Sequence, residues 1–256
     1  MNCLSDVRPR HAAIIKAFED RATSYSRLAI VQRHLANWLA EWLEPPRIAA
    51  WQTALEFGAG DGLFTQFAAD RYASYIATDI APRMVQLGRR RLPHVTWQEA
   101  DAWDSKGPMV DRLFSASLLQ WCPTPEQVLR RWRDIVAPGG RMLHGFYVLP
   151  TLAEWYSVAP YRPPLEWHTA NDWQRFFRKA GWRVLRCDCR THSQAFPSAL
   201  ELVRFLRHTG ATCGASPSIG DLRQQIVAYN REFSLRDRHG GVRSTWTMFR
   251  IEVLCR

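Results

Sequence analysis

Residues 55–62 read Leu-Glu-Phe-Gly-Ala-Gly-Asp-Gly, and one helix-length later the run Tyr75-Ile76-Ala77-Thr78 closes on Asp79. Three alternating glycines after an apolar run let the backbone leave a buried strand, turn through conformations that a Cβ disfavours, and approach a ligand closely. Such a turn feeds a helix that returns the chain to a parallel neighbour, so it commits this region to βαβ units. Any tight strand-to-helix turn favours glycine. The acid about 20 residues downstream makes the pattern specific, because one carboxylate can accept hydrogen bonds from both hydroxyls of a ribose. The pairing predicts a nucleoside cofactor held around Gly58, Ala59, Gly60 and Asp79.

The flanking chain keeps the same alternation. Leu28, Val31, Leu35, Trp38, Leu39 and Trp42 recur at steps of three and four, the apolar stripe of a helix that Pro45-Pro46 ends. Strand-like and helix-like runs then alternate: Ala54–Phe57, a helix over 63–72, Tyr75–Thr78, a helix over 82–91, Val95–Gln98, and Met109–Ser115. Thr124-Pro125-Glu126-Gln127 offers an N-cap with proline at the first helical position, and that helix is expected to run to Val136. Pro138-Gly139-Gly140 turns the chain into a strand over 141–147. Residues 148–168, rich in Pro, Trp and Tyr, read as a lid, and Thr169 with Asp172 caps a helix running to Ala180. A sixth strand passes through Val184 and Cys187, and a last one covers Val242–Leu254.

This order predicts an α/β, Rossmann-like fold with a seven-stranded, mostly parallel sheet, helices on both faces and a helical cap. One domain over 1–256 is expected, with leading helices at 10–44, a core at 52–189, an insertion at 190–240 and the final strand at 242–255.

The chain carries a formal charge of +10, supplied almost wholly by arginine, since Lys16, Lys106 and Lys179 are its only lysines. That surplus favours an acidic partner. Arg89-Arg90-Arg91 and Arg130-Arg131 with Arg133 stand out, although helix-end arginines also complement the helix dipole. No apolar run approaches the ~20 residues needed to cross a bilayer, and no secretory signal opens the chain, so a cytoplasmic protein is expected. Six scattered cysteines fit reduced thiols, and Cys187-Asp188-Cys189 has no second ligand pair to make a metal site.

Dinucleotide folds close their turn as Gly-x-Gly-x-x-Gly and hold a pyrophosphate at the helix N-terminus. Here Asp61 lies inside the turn and Glu56 just before it, which suits a cationic ligand. That describes S-adenosylmethionine, and the residues resemble the first motif of class I S-adenosylmethionine-dependent methyltransferases. Beyond this motif the chain resembles, nearly end to end, the malonyl-acyl-carrier-protein O-methyltransferases of biotin synthesis. The likeness rests on Phe18–Leu39 with Tyr25 and Val31-Gln32-Arg33, on Ser117-Leu118-Leu119-Gln120-Trp121-Cys122, on Phe205-Leu206-Arg207-His208-Thr209-Gly210-Ala211, and on Ser244-Thr245-Trp246. The chain departs from the family at Glu166-Trp167, where members carry Arg-Phe, an arginine suited to the substrate's free carboxylate. Arg162 substitutes for it only if the lid is re-registered.

The resemblance implies a role for each matching position. Glu56 and the glycine turn hold the methionine end, Asp79 the ribose, Asp101 and Ala102 the adenine edge, and Ile80 and Met84 the adenine faces. Tyr25 closes over the cofactor, while Ser115, Leu118 and Gln120 line the point of methyl transfer. Arg204 and Arg207 contact an acidic acyl carrier protein that presents a malonyl thioester. A carboxylate is already deprotonated at neutral pH, so positioning is expected to carry the catalysis, with no metal and no general base; His144 and His168 are conceivable bases but read more simply as ordinary polar residues. The expected protein is a monomer acting away from membranes and nucleic acid. Alternatives are a methyltransferase for a small free carboxylic acid, a nucleic-acid methyltransferase, which would usually show an Asn/Asp-Pro-Pro-aromatic turn after the fourth strand, and a non-catalytic cofactor-binding protein.

Overall fold

Strands β1 (Thr53–Phe57), β2 (Ser74–Asp79), β3 (Thr96–Glu99), β4 (Val110–Ala116), β5 (Val136–Val148), β6 (Arg183–Phe196) and β7 (Val242–Leu254) form one sheet. Their order is β3-β2-β1-β4-β5-β7-β6, with β7 antiparallel to both neighbours and all other pairings parallel. The computed structural model describes residues 16, 19–20, 28–104, 107–159, 166–209, 217–235 and 240–255. The order reverses direction at β1, and the β1 and β4 loops flank the crevice that this reversal opens, where open α/β sheets bind ligands.

The helices are α1 (Ile30–Ala40), α2 (Pro46–Ala49), α3 (Thr65–Ala68), α4 (Pro82–Arg91), α5 (Pro125–Arg131), α6 (Ala153–Ser157), α7 (Ala170–Lys179), α8 (Ala199–His208) and α9 (Ile219–Phe233). Strand alternation sends Leu55, Phe57, Leu113, Met142 and Phe146 to one face, where Leu129 of α5 and Trp173 and Phe177 of α7 cover them. Ala54, Ala77, Phe114 and Leu143 face the other side, against Leu39 of α1, Phe64, Ala68 of α3 and Met84 of α4. A third cluster joins Leu35 of α1, Tyr147, Trp155 of α6, Leu206 of α8, Tyr229 of α9 and Trp246. Each large apolar side chain fully buried this way stabilises the fold by about 1.5–3 kcal/mol. Among the described residues no helix is long and apolar enough to cross a membrane.

Several local expectations are corrected. The helix after the glycine turn is only Thr65–Ala68, continued as a 3-10 turn over Ala69–Arg71. Thr124 precedes α5 without a side-chain capping bond, and α5 stops at Arg131 before a 3-10 turn over Trp132–Asp134. The reciprocal cap appears instead at Thr169–Asp172, as expected, and at Ser218–Asp221. Strand β6 reaches Phe196, well into the segment read as insertion; its long solvent-facing run hides the two-residue period, and pairing with β7 makes it a strand.

The segment read as a lid contains α6, which is clamped to β7. Thr245 Oγ1 donates to Glu154 Oε1 at 2.7 Å, while Thr151 Oγ1 accepts the Thr247 amide at 3.0 Å. At the opposite, amino-terminal end of the central strands, Arg112 is 1% exposed and bonds Glu44 at 3.0 Å and Glu252 at 3.2 Å. Removing one member of such a buried set strands the others' charge, which makes it a lock on the fold.

Candidate active site

Gly58, Gly60 and Gly62 all take positive φ, at 65°, 60° and 95°. A Cβ on Gly58 would stand 2.8 Å from Cδ1 of Leu118, so a side chain here would push Leu118 aside as well as strain the backbone. A Cβ on Gly60 would meet nothing within 4 Å, so the middle of the turn borders open space. The turn is pinned to β2: the Ala59 amide donates to Thr78 O at 2.8 Å and the Gly60 amide to Asp79 Oδ2 at 2.8 Å. Oδ1 of Asp79 accepts the Ala81 amide at 2.9 Å, so one carboxylate ties the β1 turn to the start of α4.

Glu56 lies beneath this turn. Its Oε2 accepts both Thr65 Oγ1 at 2.7 Å and the Tyr75 hydroxyl at 2.8 Å, and its buried Oε1 has no hydrogen-bond partner among the described residues. Burial pushes its pKa to about 7, against the lowering effect of those two hydroxyls. Burial also raises Asp79, to about 6, although the amides of Ala81 and Gly60 pull it down. Asp61, 5% exposed, is raised by burial and opposed by Arg91, 3.5 Å away, and by Arg33 of α1. From the leading segment, Glu19 accepts the Arg83 amide at 2.9 Å and its charge adds to the rise at Asp79.

Carboxylates at 19, 56, 61, 79 and 101 therefore collect around the ends of β1, β2 and β3. Three of them, Glu56, Asp61 and Asp79, hold a proton more tightly than usual because burial is not fully compensated. A polyphosphate would be repelled here, whereas a cation would relieve the strain. The orphaned oxygen of Glu56 and the open flank of Gly60 thus fit a nucleoside with a positively charged tail. The Asp101 carboxylate accepts the Trp103 amide at 2.8 Å, and the carbonyl of buried Ala102 accepts the Trp132 indole at 2.8 Å, which fixes the β3 loop. Ile80 keeps part of its surface free.

The other candidate residues lie in different surroundings. Met84, expected beside the adenine, is 1% exposed and packs in the core, because its position on α4 faces the sheet. Ser115, expected to line the methyl-transfer point, has no exposed surface; its Oγ meets Nδ1 of His144 at 2.8 Å on the face covered by α5 and α7. His144 stacks on Phe177 at 5.9 Å, and burial lowers its pKa to about 3, so it is neutral. Gln120 turns back to donate to Ser117 O at 2.8 Å, and its buried Oε1 has no partner among the described residues. Arg204 and Arg207 are exposed on α8, with Arg204 paired to Glu201. Tyr25 and Arg162 lie outside the described residues, as do Gly210 and Ala211.

The structure adds Glu19, Thr65 and Tyr75, which no local pattern announces, since each reaches the site from a different element. Among the described residues, no three His, Cys, Asp or Glu side chains gather as metal ligands. Cys187 and Cys189 are exposed free thiols on β6.

A family profile described as a methyltransferase domain matches residues 55–142, the span from β1 into β5. Over 93% of its length the chain is 28% identical to a malonyl-[acyl-carrier protein] O-methyltransferase of Anoxybacillus flavithermus, covering 95% of that protein. A protein of the same description from Methylococcus capsulatus is 29% identical over 76% of the chain and 74% of its own length. In fold, the chain superposes on the YcgJ protein of Bacillus subtilis with a TM-score of 0.64 at 14% identity, covering 87% of this chain and 98% of the other.

Proposed function

We infer that this chain is a divergent member of the malonyl-acyl-carrier-protein O-methyltransferases, and its chemistry follows from that membership. It is a methyltransferase that esterifies the free carboxylate of a malonyl thioester carried by an acyl carrier protein, an early step of biotin synthesis. The observation that carries this reading is the likeness to such an enzyme over 93% of the chain and 95% of that enzyme, far beyond the glycine turn alone.

S-adenosylmethionine fits the acidic end of the sheet and, when bound, supplies an electrophilic methyl group on a cationic sulfur. Glu56 and the turn at Gly58, Ala59 and Gly60 would hold its amino-acid end. Asp79 would take the ribose, with Asp101, Ala102 and Ile80 around the base. A carboxylate is already ionised at neutral pH, so the site residues would have to orient it toward that methyl group and would have no proton to move. The chain needs no base for this, which agrees with His144 being locked, neutral, under α5 and α7. Positioning of this kind can supply roughly 7–11 kcal/mol of barrier lowering.

The arginine surplus suits an acidic carrier, and Arg204 and Arg207 project from α8 to meet it. The working form in this reading is a cytoplasmic monomer. Transfer of a labelled methyl group to malonyl carrier protein, malonyl-coenzyme A, free dicarboxylic acids and RNA tests the assignment. Preference for the carrier-bound substrate supports it, and labelling of RNA alone removes it. A free carboxylic acid is the second reading, favoured by Glu166-Trp167 standing where an arginine is expected.

A further inference from the structure

Ser117 and Tyr147 hold hydroxyls that the fold buries without a complete hydrogen bond. Ser117 follows the end of β4 with φ of 59°, one of two non-glycine residues at positive φ among those described. Its amide donates to Gly145 O at 2.8 Å, which fixes the strained backbone against β5. Tyr147, near the end of β5, is 5% exposed. The two side chains are neighbours: Ser117 offsets part of the burial that holds the Tyr147 phenol protonated. Yet neither hydroxyl completes a well-formed bond with any described residue. The indole N–H of Trp167 is a third such group, buried and unpartnered, and Trp167 packs against the cluster that contains Tyr147. The Leu149 amide donates to His168 O at 2.9 Å, so the segment bearing Trp167 runs beside the end of β5.

Buried polar groups are seldom left unpaired, and donors at the ends of adjacent strands β4 and β5, with a third on the segment running beside β5, call for an acceptor from outside. Ser117 is next to Leu118, whose side chain packs on Gly58, so the Ser117 end of this group lies near the glycine turn. A backbone strain of this kind is commonly kept where it positions a functional group. An arginine in the same place would pair with a carboxylate as a full ion pair and damp its nucleophilicity, whereas neutral O–H and N–H donors orient it and leave most of its charge.

We propose that the Ser117 and Tyr147 hydroxyls, with the Trp167 indole, form the grip for the substrate's carboxylate, holding the oxygen that is not methylated in place of the arginine this chain lacks at 166. The grip rests on the methyltransferase reading above and deepens it: the substrate class is a mono-acyl dicarboxylate recognised by neutral donors.

Tyr147→Phe, Ser117→Gly and Trp167→Phe test it, with binding of adenosylhomocysteine measured beside methyl-transfer kinetics. Tyr147→Phe and Ser117→Gly should each raise KM for the malonyl substrate at least tenfold and leave adenosylhomocysteine affinity within twofold. Ser117→Gly relieves the positive φ, so it should melt no lower than the parent while losing substrate affinity, a combination that a structural role for the serine would not produce. In calorimetry on the adenosylhomocysteine-loaded protein, malonyl-pantetheine should bind more weakly to the variants, whereas its methyl ester should bind all forms alike. Folded variants with unchanged KM and unchanged malonyl-pantetheine affinity overturn the grip. If the parent enzyme methylates a free dicarboxylic acid and ignores the thioester, the carrier reading fails; the grip then stands only if the same variants lose affinity for that acid.

Discussion

The Asp79 carboxylate, at the end of β2, accepts the amide of Gly60 in the turn after β1 at 2.8 Å. The glycine turn is therefore held open by the acid expected to bind the ribose, and its second oxygen is already engaged by Ala81. Asp79→Ala removes both tethers. Since hydrogen bonds to charged groups are worth about 1.5–3 kcal/mol, the variant should bind adenosylhomocysteine roughly 10–100 times more weakly by calorimetry. Unchanged affinity would separate Asp79 from the cofactor.

Glu56 and Asp79 give the ligand-free protein a pH dependence of definite sign. Folding raises Glu56 from 4.5 to about 7 and Asp79 from 3.8 to about 6, so the folded state retains protons that the unfolded chain releases. Their stabilising contribution is complete below the unfolded values and is lost as pH rises through about 6 and 7. For Glu56 this is at most on the order of 3 kcal/mol. The melting temperature without ligand should fall between pH 5.5 and 8, and Glu56→Gln should flatten that slope. Affinity for a cationic cofactor should move the other way, rising with pH over the same interval.

Ser115 and His144 predict a structural phenotype. The Ser115 Oγ to His144 Nδ1 contact of 2.8 Å is fully buried, and Ser115→Ala leaves the imidazole nitrogen without its partner. A cost of about 1–3 kcal/mol is expected in denaturant unfolding, with kcat per folded molecule within twofold. Because burial depresses His144 from 6.5 to about 3, its contribution is present above pH 6.5 and is lost as pH falls toward 3. Loss of kcat without loss of stability would return Ser115 to the reaction.

The Thr245 hydroxyl clamps Glu154 of α6 at 2.7 Å. Thr245→Val keeps the strand residue and removes the bond, which should destabilise the base of the lid by about 1 kcal/mol. Limited proteolysis should then cut the segment between α6 and α7 faster, and KM for the acyl substrate should rise more than cofactor affinity changes. Equal cleavage rates would show that the lid is held elsewhere.

On α8, Arg204 is partly neutralised by Glu201, whereas Arg207 has no such pair among the described residues. Arg207→Glu should therefore raise KM for the carrier-bound substrate more than Arg204→Glu does. The double reversal should exceed either and leave adenosylhomocysteine binding unchanged. The effect should shrink in high salt, as surface electrostatics do. Identical kinetics for the double variant would move the carrier to another face.

Local signals made much of this molecule legible. Glycines at 58, 60 and 62 announce positive φ because few other residues adopt it cheaply, and the Thr169–Asp172 cap is written within four residues. The succession of strands and helices along the chain followed from alternating periods. The length of β6 did not, because an edge strand facing solvent carries no apolar alternation and is defined by its pairing with β7. Ser115 and Gln120 were placed by motif, yet a motif does not say which sheet face a side chain takes.

From its amino acids alone this chain settled a mostly parallel sheet with a glycine turn after β1 and an acid closing β2, since those depend on neighbours within one turn or one strand. Folding alone decided that Glu56 would meet Thr65 and Tyr75, that Ser115 would serve His144, and that Ser117 and Tyr147 would share one buried corner. Those encounters join residues from separate elements, and burial among them sets each group's charge and free hydrogen-bonding capacity.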